Sequence, residues 1–191
     1  MDAARRLATY EDLLALPEDV RAEILDGVVV TPPAPLPRHS RTQRSLGSMI
    51  GGPYDDDDGR GGPGGWWILL EVDVRFGLHD VVRPDLAGWR RERLPSPWDV
   101  RPIDVVPDWV CEVLSPSNAP HDRVRKRALY ARHGVPYYWI VDPTGRTLEA
   151  LRLDPATGAW IEVGAYDDQS TAGIAPFEAV ALEVGRLFPP E

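Results

Sequence analysis

The stretch "PDWVCEVLSPSN", residues 107–118, holds the residue on which the reading of this chain turns. Trp109, Val110, Cys111, Val113 and Leu114 read as a short buried strand, and Glu112 sits among them. An unpaired charge in a dry strand is costly, so such a carboxylate has a strong partner: a cation, a metal or a proton. Taken alone, Glu112 is as well explained by a salt bridge to an arginine or lysine as by a metal.

Downstream, "NAPHDRVRKRALYARHG" (118–134) is the best helix pattern in the chain, with Asn118 as its cap and Gly134 as its stop. "VPYYWIVDP" (135–143) then reads as a strand, so one helix crosses between two strands. "RTLEALRL" and "AWIEVGAY" form a hairpin around "DPATGA", and "FEAVALEV" adds a last strand. Upstream, "WWILLEVDVRF" (66–76) and "DVVRPDLAGW" (80–89) are strand candidates joined by a turn at Gly77 to Asp80; residues 91–106 are an irregular connection.

The first third is more helical. Thr9 caps a short helix over "YEDLLAL", and "PEDVRAEILDG" (17–27) predicts a second, with Pro17 at its start and Gly27 as its stop. "VVV" (28–30) reads as a strand, "TPPAPLPRHS" with four prolines as irregular chain, and "RHSRTQRSLGSMI" (38–50) as an amphipathic helix. Residues 51–65, "GGPYDDDDGRGGPGG", read as a flexible, solvated loop; the four aspartates lack the alternate ligand spacing of a calcium loop. The pattern predicts one α/β domain over 1–191, built on a mixed central sheet flanked by helices with an added C-terminal hairpin.

Composition bounds the function. With 191 residues, 43% of them hydrophobic, the chain can bury a core; one cysteine rules out an internal disulfide and fits a reducing cytoplasm. No run approaches the length of apolar chain that crosses a membrane, so no membrane role is expected. The net charge of −9 argues against nonspecific coating of nucleic acid but leaves room for a local basic groove. Arg123, Arg125, Lys126, Arg127 and Arg132 form the densest basic cluster and Arg38, Arg41 and Arg44 a second; together they could flank a phosphate backbone.

The informative acids interrupt strand patterns. Asp85 follows Pro84 near a strand start, Glu112 lies on a later strand, and Lys126 on the helix after it. If the two strands are neighbours, the carboxylates share one site, and a pair of oxygen donors suits Mg²⁺ or Mn²⁺. The plainer alternatives are a turn residue for Asp85 and a solvated charge run around Lys126. Glu71 and Asp73 read as a solvent-exposed edge rather than as site acids, Cys111 as core rather than nucleophile, and Tyr130 as core.

Taken together, "RPDLAGW", "PDWVCEVLSPSN", "HDRVRKRALYARHGVPYYWIVDP" and "RTLEALRL" resemble the Uma family of restriction-endonuclease-like proteins, and "AEILDGVVV" and "PLPRHSRTQRSL" resemble its opening. The likeness spans about residues 8–165 and omits the 51–65 loop. It implies a PD-(D/E)XK-type nuclease fold and a metal-dependent endonuclease acting on nucleic acid, DNA first, with Mg²⁺ or Mn²⁺ as cofactor. Asp85 and Glu112 would be the metal-binding acids and the Val113 carbonyl a further ligand. The usual lysine two residues after the glutamate is missing, since position 114 is Leu. Its role would pass to Lys126, and Glu23, on the early helix, would be an outer acid. His39, Gln43, Arg123 and Arg127 are candidate substrate contacts. A homodimer is expected if duplexes are cut on both strands. The competing reading is a nuclease-fold binding or regulatory protein with little or no turnover.

Overall fold

The computed structural model describes residues 6–17, 19–56, 61–115 and 122–190, at 122 and 123 the backbone alone. A six-stranded sheet forms the middle layer, in the order β10-β9-β8-β7-β6-β3. Its strands are β3 (Trp66–Leu70), β6 (Leu86–Arg90), β7 (Trp109–Val113), β8 (Tyr137–Asp142), β9 (Thr147–Leu153) and β10 (Trp160–Tyr166). β7 and β8 run parallel and the other neighbours antiparallel, so the sheet is mixed. A parallel pair needs a crossover, and here it includes a π-helical segment, Asp122–Lys126, continuing into helix α3, Arg127–Arg132. The cap expected at Asn118 lies outside the described residues.

A second, four-stranded sheet has the order β2-β1-β5-β4, from β1 (Glu23–Leu25), β2 (Val28–Val30), β4 (Val74–Gly77) and β5 (Asp80–Val82). This overturns the helix expected over 17–27. Asp26 and Gly27 both take positive φ, 51° and 73°, the two-residue turn that suits a hairpin's twist. Leu25 therefore pairs with Val28 and Glu23 with Val30. Gly27 is required twice over, because a Cβ there would also lie 2.7 Å from the Leu7 side chain.

Two other runs are each broken in two. "WWILLEVDVRF" divides into β3 and β4 around Glu71, whose φ of 52° ends the extended chain. "DVVRPDLAGW" divides into β5 and β6 at Pro84, which has no N–H to give to a ladder. In both cases one half joins each sheet, and these crossing points bring the two sheets together.

The faces of the large sheet are covered differently. On one, helix α2 (Pro37–Tyr54) packs Leu46, Ile50 and Tyr54 against Trp66, Trp109, Trp139 and Phe177. Phe177 belongs to a separate two-stranded sheet, β11 (Thr171–Ile174) and β12 (Phe177–Glu183), of which only the second strand is evident from the sequence. On the other face, Leu129, Tyr130 and Val135 meet Val110, Tyr138 and Ile140, joined by Val74, Phe76 and Val82 of the small sheet. A short helix α1, Tyr10–Leu14, begins at Thr9 as expected. No described helix is long and apolar enough to cross a membrane. The helix α2 also takes up the first residues of the expected 51–65 loop, whose 57–60 portion lies outside the described residues.

Phe177 is 1% exposed, and its ring centroid lies 4.7 Å from Tyr54, 4.9 Å from both Trp66 and Trp109, and 5.6 Å from Trp139. Phe177→Ala should cost about 3–5 kcal/mol in urea unfolding, since four rings lose their common neighbour. A loss below about 1 kcal/mol would show that the β11–β12 hairpin is not anchored through this ring.

Candidate active site

Strand β7 serves two faces at once. Trp109, Cys111 and Val113 belong to the core under α2, whereas Val110 belongs to the core on the opposite face. Alternation therefore turns Glu112 away from α2 and toward α3. Cys111 is fully buried, and burial pushes its thiol well above the ordinary range, which suits a core residue and not a nucleophile.

The pairing of β6 with β7 matches Leu86 to Cys111, and one further step sets Asp85 opposite Glu112. The Asp85 carboxylate accepts the Val113 N–H at 2.7 Å, which locks it to the backbone beside Glu112. Its same oxygen lies 3.2 Å from His39 Nε2. Gln43, one helical turn beyond His39 on α2, donates to the Asp85 carbonyl at 3.0 Å and to Glu71 at 3.2 Å. Two of the buried polar residues of α2 thus converge on Asp85.

Glu112 finds its counter-charge inside the protein. Lys126 Nζ lies 3.1 Å from Glu112 Oε1 and 3.1 Å from Glu23 Oε1. The three side chains are 7%, 3% and 8% exposed, in the order Lys126, Glu112, Glu23. Glu23 stands on strand β1 and not on a helix, and it is held by the Arg83 backbone N–H at 2.8 Å. Tyr130 donates its hydroxyl to Glu112 Oε1 at 2.5 Å, and burial beside that carboxylate raises the phenol well above its usual range. Lys126 and Tyr130 are four residues apart, so one helix face presents both to Glu112. That spacing was the available signal for Tyr130; as a bare tyrosine it reads as core. Lys126 itself ends the π-helical segment, a widened turn often met where a helix must aim a side chain into a site.

One cleft collects these groups: Glu23, His39, Asp85, Glu112, Val113 and Lys126 line it. Three charged residues not predicted for it, Arg21, Glu71 and Arg83, also line it, with Ala22, Ser115, Pro32, Pro33 and Pro35. Glu71 is ion-paired with Arg21 and holds a left-handed backbone that costs a non-glycine residue roughly 1–2 kcal/mol. Strain of this kind gathers at functional sites. Asp73 is elsewhere, buried between Arg83 at 2.7 Å and Arg101 at 2.8 Å. Arg127 does not line the cleft, and the side chain of Arg123 lies outside the described residues.

The donor set is sparse and hard. Among the described residues, no three His, Cys, Asp or Glu side chains gather into a metal cage. One carboxylate just before β6, a second on the adjacent strand β7 and a strand carbonyl match what Mg²⁺ takes from a protein, because it keeps several of its waters.

The family model described as "Putative restriction endonuclease", Uma2, matches residues 7–185. The chain belongs to the Uma2 family. Among solved structures it is similar to "a putative nuclease belonging to DUF820 from Anabaena variabilis ATCC 29413", at 22% identity and a TM-score of 0.74. The match covers 94% of this chain and 97% of that one. At such identity the likeness shows the shared fold, here the restriction-endonuclease-like mixed sheet. No curated protein matches the chain. The Uma2 assignment makes this a nuclease-like protein, and the cleft is its candidate centre.

Breaking the Lys126 arrangement should destabilise the fold. Lys126→Met leaves Glu23 and Glu112 facing each other in a dry site and should cost about 3–5 kcal/mol. Tyr130→Phe removes one donor from Glu112 and should cost about 1–3 kcal/mol. Urea unfolding measures both; two variants as stable as the parent would mean that water already reaches these carboxylates.

Proposed function

We propose that this Uma2 protein is a divalent-cation-dependent endonuclease that hydrolyses phosphodiesters, with DNA as its substrate. The observation that carries the reading is the set Asp85, Glu112 and Lys126, from three separate pieces of chain, lining one cleft. Charge supports it too. The cleft's four carboxylates, Glu23, Glu71, Asp85 and Glu112, outnumber its three fixed cations, Arg21, Arg83 and Lys126, so a bound divalent cation would turn its balance in favour of a phosphodiester.

Mg²⁺ or Mn²⁺, held by Asp85, Glu112 and the Val113 carbonyl, would supply Lewis-acid stabilisation to charge developing on a phosphoryl oxygen. The chain's own residues do the rest. His39 steadies the Asp85 carboxylate, and Tyr130 fixes the orientation of Glu112. Glu23 holds Lys126 at the cleft wall, where its ammonium can orient an attacking water and stabilise the negative charge that develops. The Arg83 N–H in turn keeps Glu23 in place. Cutting both strands of a duplex calls for two such sites, and a homodimer meets that need.

One observation favours a second reading. Glu112 is already satisfied by Lys126 and Tyr130, so the site can hold together as a structural ion pair in a binding or regulatory protein without turnover.

Calorimetry with Mn²⁺, alone and with DNA present, separates the two. Binding by the parent that disappears in Asp85→Asn/Glu112→Gln is the expected result, together with nicking of a supercoiled plasmid. Lys126→Gln should keep Mn²⁺ binding and lose about 10²–10⁴-fold in cleavage rate. Absence of both binding and cleavage in the parent, with DNA and with RNA, would leave the binding-protein reading.

A further inference from the structure

The two basic clusters in the sequence fare differently in the fold. Around α3, Arg132 is neutralised by Asp26 and Asp80, each at 2.9 Å, and Arg125 donates to the Leu25 carbonyl at 3.4 Å. Lys126 is likewise paired, whereas Arg125 and Arg127 have no carboxylate partner among the described residues; along α2 none of the three arginines has one. Arg38 donates to the Thr144 hydroxyl at 3.3 Å and Arg41 to the Ser45 hydroxyl. Among the described residues, Arg38, Arg41 and Arg44 have no carboxylate within ion-pair reach. In a chain of net charge −9, three such arginines on one helix are a local exception.

Their position connects them to the cleft. Pro35 and His39 line the cleft, and Leu36, Pro37, Arg38 and Arg41 line a groove that begins at the same turn of chain. The groove continues past Arg41, Arg44 and Ser48 toward Arg146 and Arg186. These last two carry partners, Asp168 at 2.5 Å and Glu183 at 3.0 Å, so the groove's free positive charge is concentrated on α2. At 1.5 Å per residue, Arg38 to Arg44 spans about 9 Å of helix. That is roughly two to three phosphate steps of one strand.

Among the described residues, neither the cleft nor the groove offers an exposed aromatic ring for base stacking; His39 in the cleft is 7% exposed. The one Phe, Tyr or Trp lining them is Phe188, which is 2% exposed and lies beneath Arg146. Proteins that hold single strands stack bases on exposed rings, whereas backbone charge alone suits a duplex.

We infer that the outer stripe of α2, Arg38, Arg41 and Arg44, is a track for the phosphate backbone of duplex DNA running out of the cleft. This rests on the nuclease reading for its substrate. Burial and the contacts to Asp85 place His39 and Gln43 on the inner stripe of the same helix, so α2 ties the cleft to the track.

The test is fluorescence anisotropy with a labelled, mixed-sequence duplex of about thirty base pairs, with Ca²⁺ in place of Mg²⁺ or Mn²⁺ so that the cleft keeps a divalent cation while intact duplex is confirmed on a gel, over a range of monovalent salt. Each phosphate contact contributes about 0.9 to the slope of log K against log salt. Arg38→Gln/Arg41→Gln/Arg44→Gln should therefore lower the slope by about 3 and weaken binding near 0.1 M salt by on the order of a hundredfold. Its Mn²⁺ titration and melting temperature should match the parent, showing that the cleft and fold are intact. An unchanged salt slope, a parent that does not bind the duplex, or equal binding of the matching single strand would overturn the track. A parent that binds duplex through these arginines but never nicks plasmid would keep the track and sink the nuclease reading.

Discussion

The ammonium of Lys126 lies 3.1 Å from carboxylates that belong to two different sheets, Glu23 of the four-stranded sheet and Glu112 of the six-stranded one. Ionised groups this dry are tolerated only as a set, because removing one leaves the others uncompensated. The set therefore ties together three pieces of chain: the opening hairpin, the central strand β7 and the helical crossover that follows it. The cleft forms where those three meet. The charges thus add to the apolar core shared by the two sheets, in which Val74, Phe76 and Val82 meet Val110, Tyr138 and Ile140.

Periodicity divides labour on the elements around this centre. Strand β7 alternates, sending Cys111 and Val113 into the core under α2 and Glu112 to the other side. The helix α2 separates its roles by angle. His39 and Gln43 face Asp85, Leu46 and Ile50 face the tryptophans, and Arg38 and Arg44 face solvent. One element can then supply core, site and an exposed basic stripe without any residue serving two of them.

The backbone departs from regular geometry where the site needs it. Glu71 takes a left-handed conformation between β3 and β4, and Pro84 interrupts the run between β5 and β6. Both breaks let the chain pass from one sheet to the other beside the cleft. Glu71 and Asp85, each at such a break, line it as a result.

The sequence alone determined what neighbours a few residues apart can encode. The strand at 109–113 with its misplaced acid, the crossover helix pattern, the amphipathic start of α2 and the acids Asp85 and Glu112 were all legible as local patterns. The Asp26–Gly27 pair was legible too, yet the helical spacing around it competed, and only pairing with β5 on the far side made the hairpin win. Tertiary structure decided the rest. Lys126 meets Glu23, Arg132 meets Asp26, and Arg21 meets Glu71 across long stretches of chain. No local periodicity reports which charge will find which partner at such separations. The packing of two sheets decides it, since burial makes an unmatched charge costly and leaves exposed arginines such as Arg44 without that requirement.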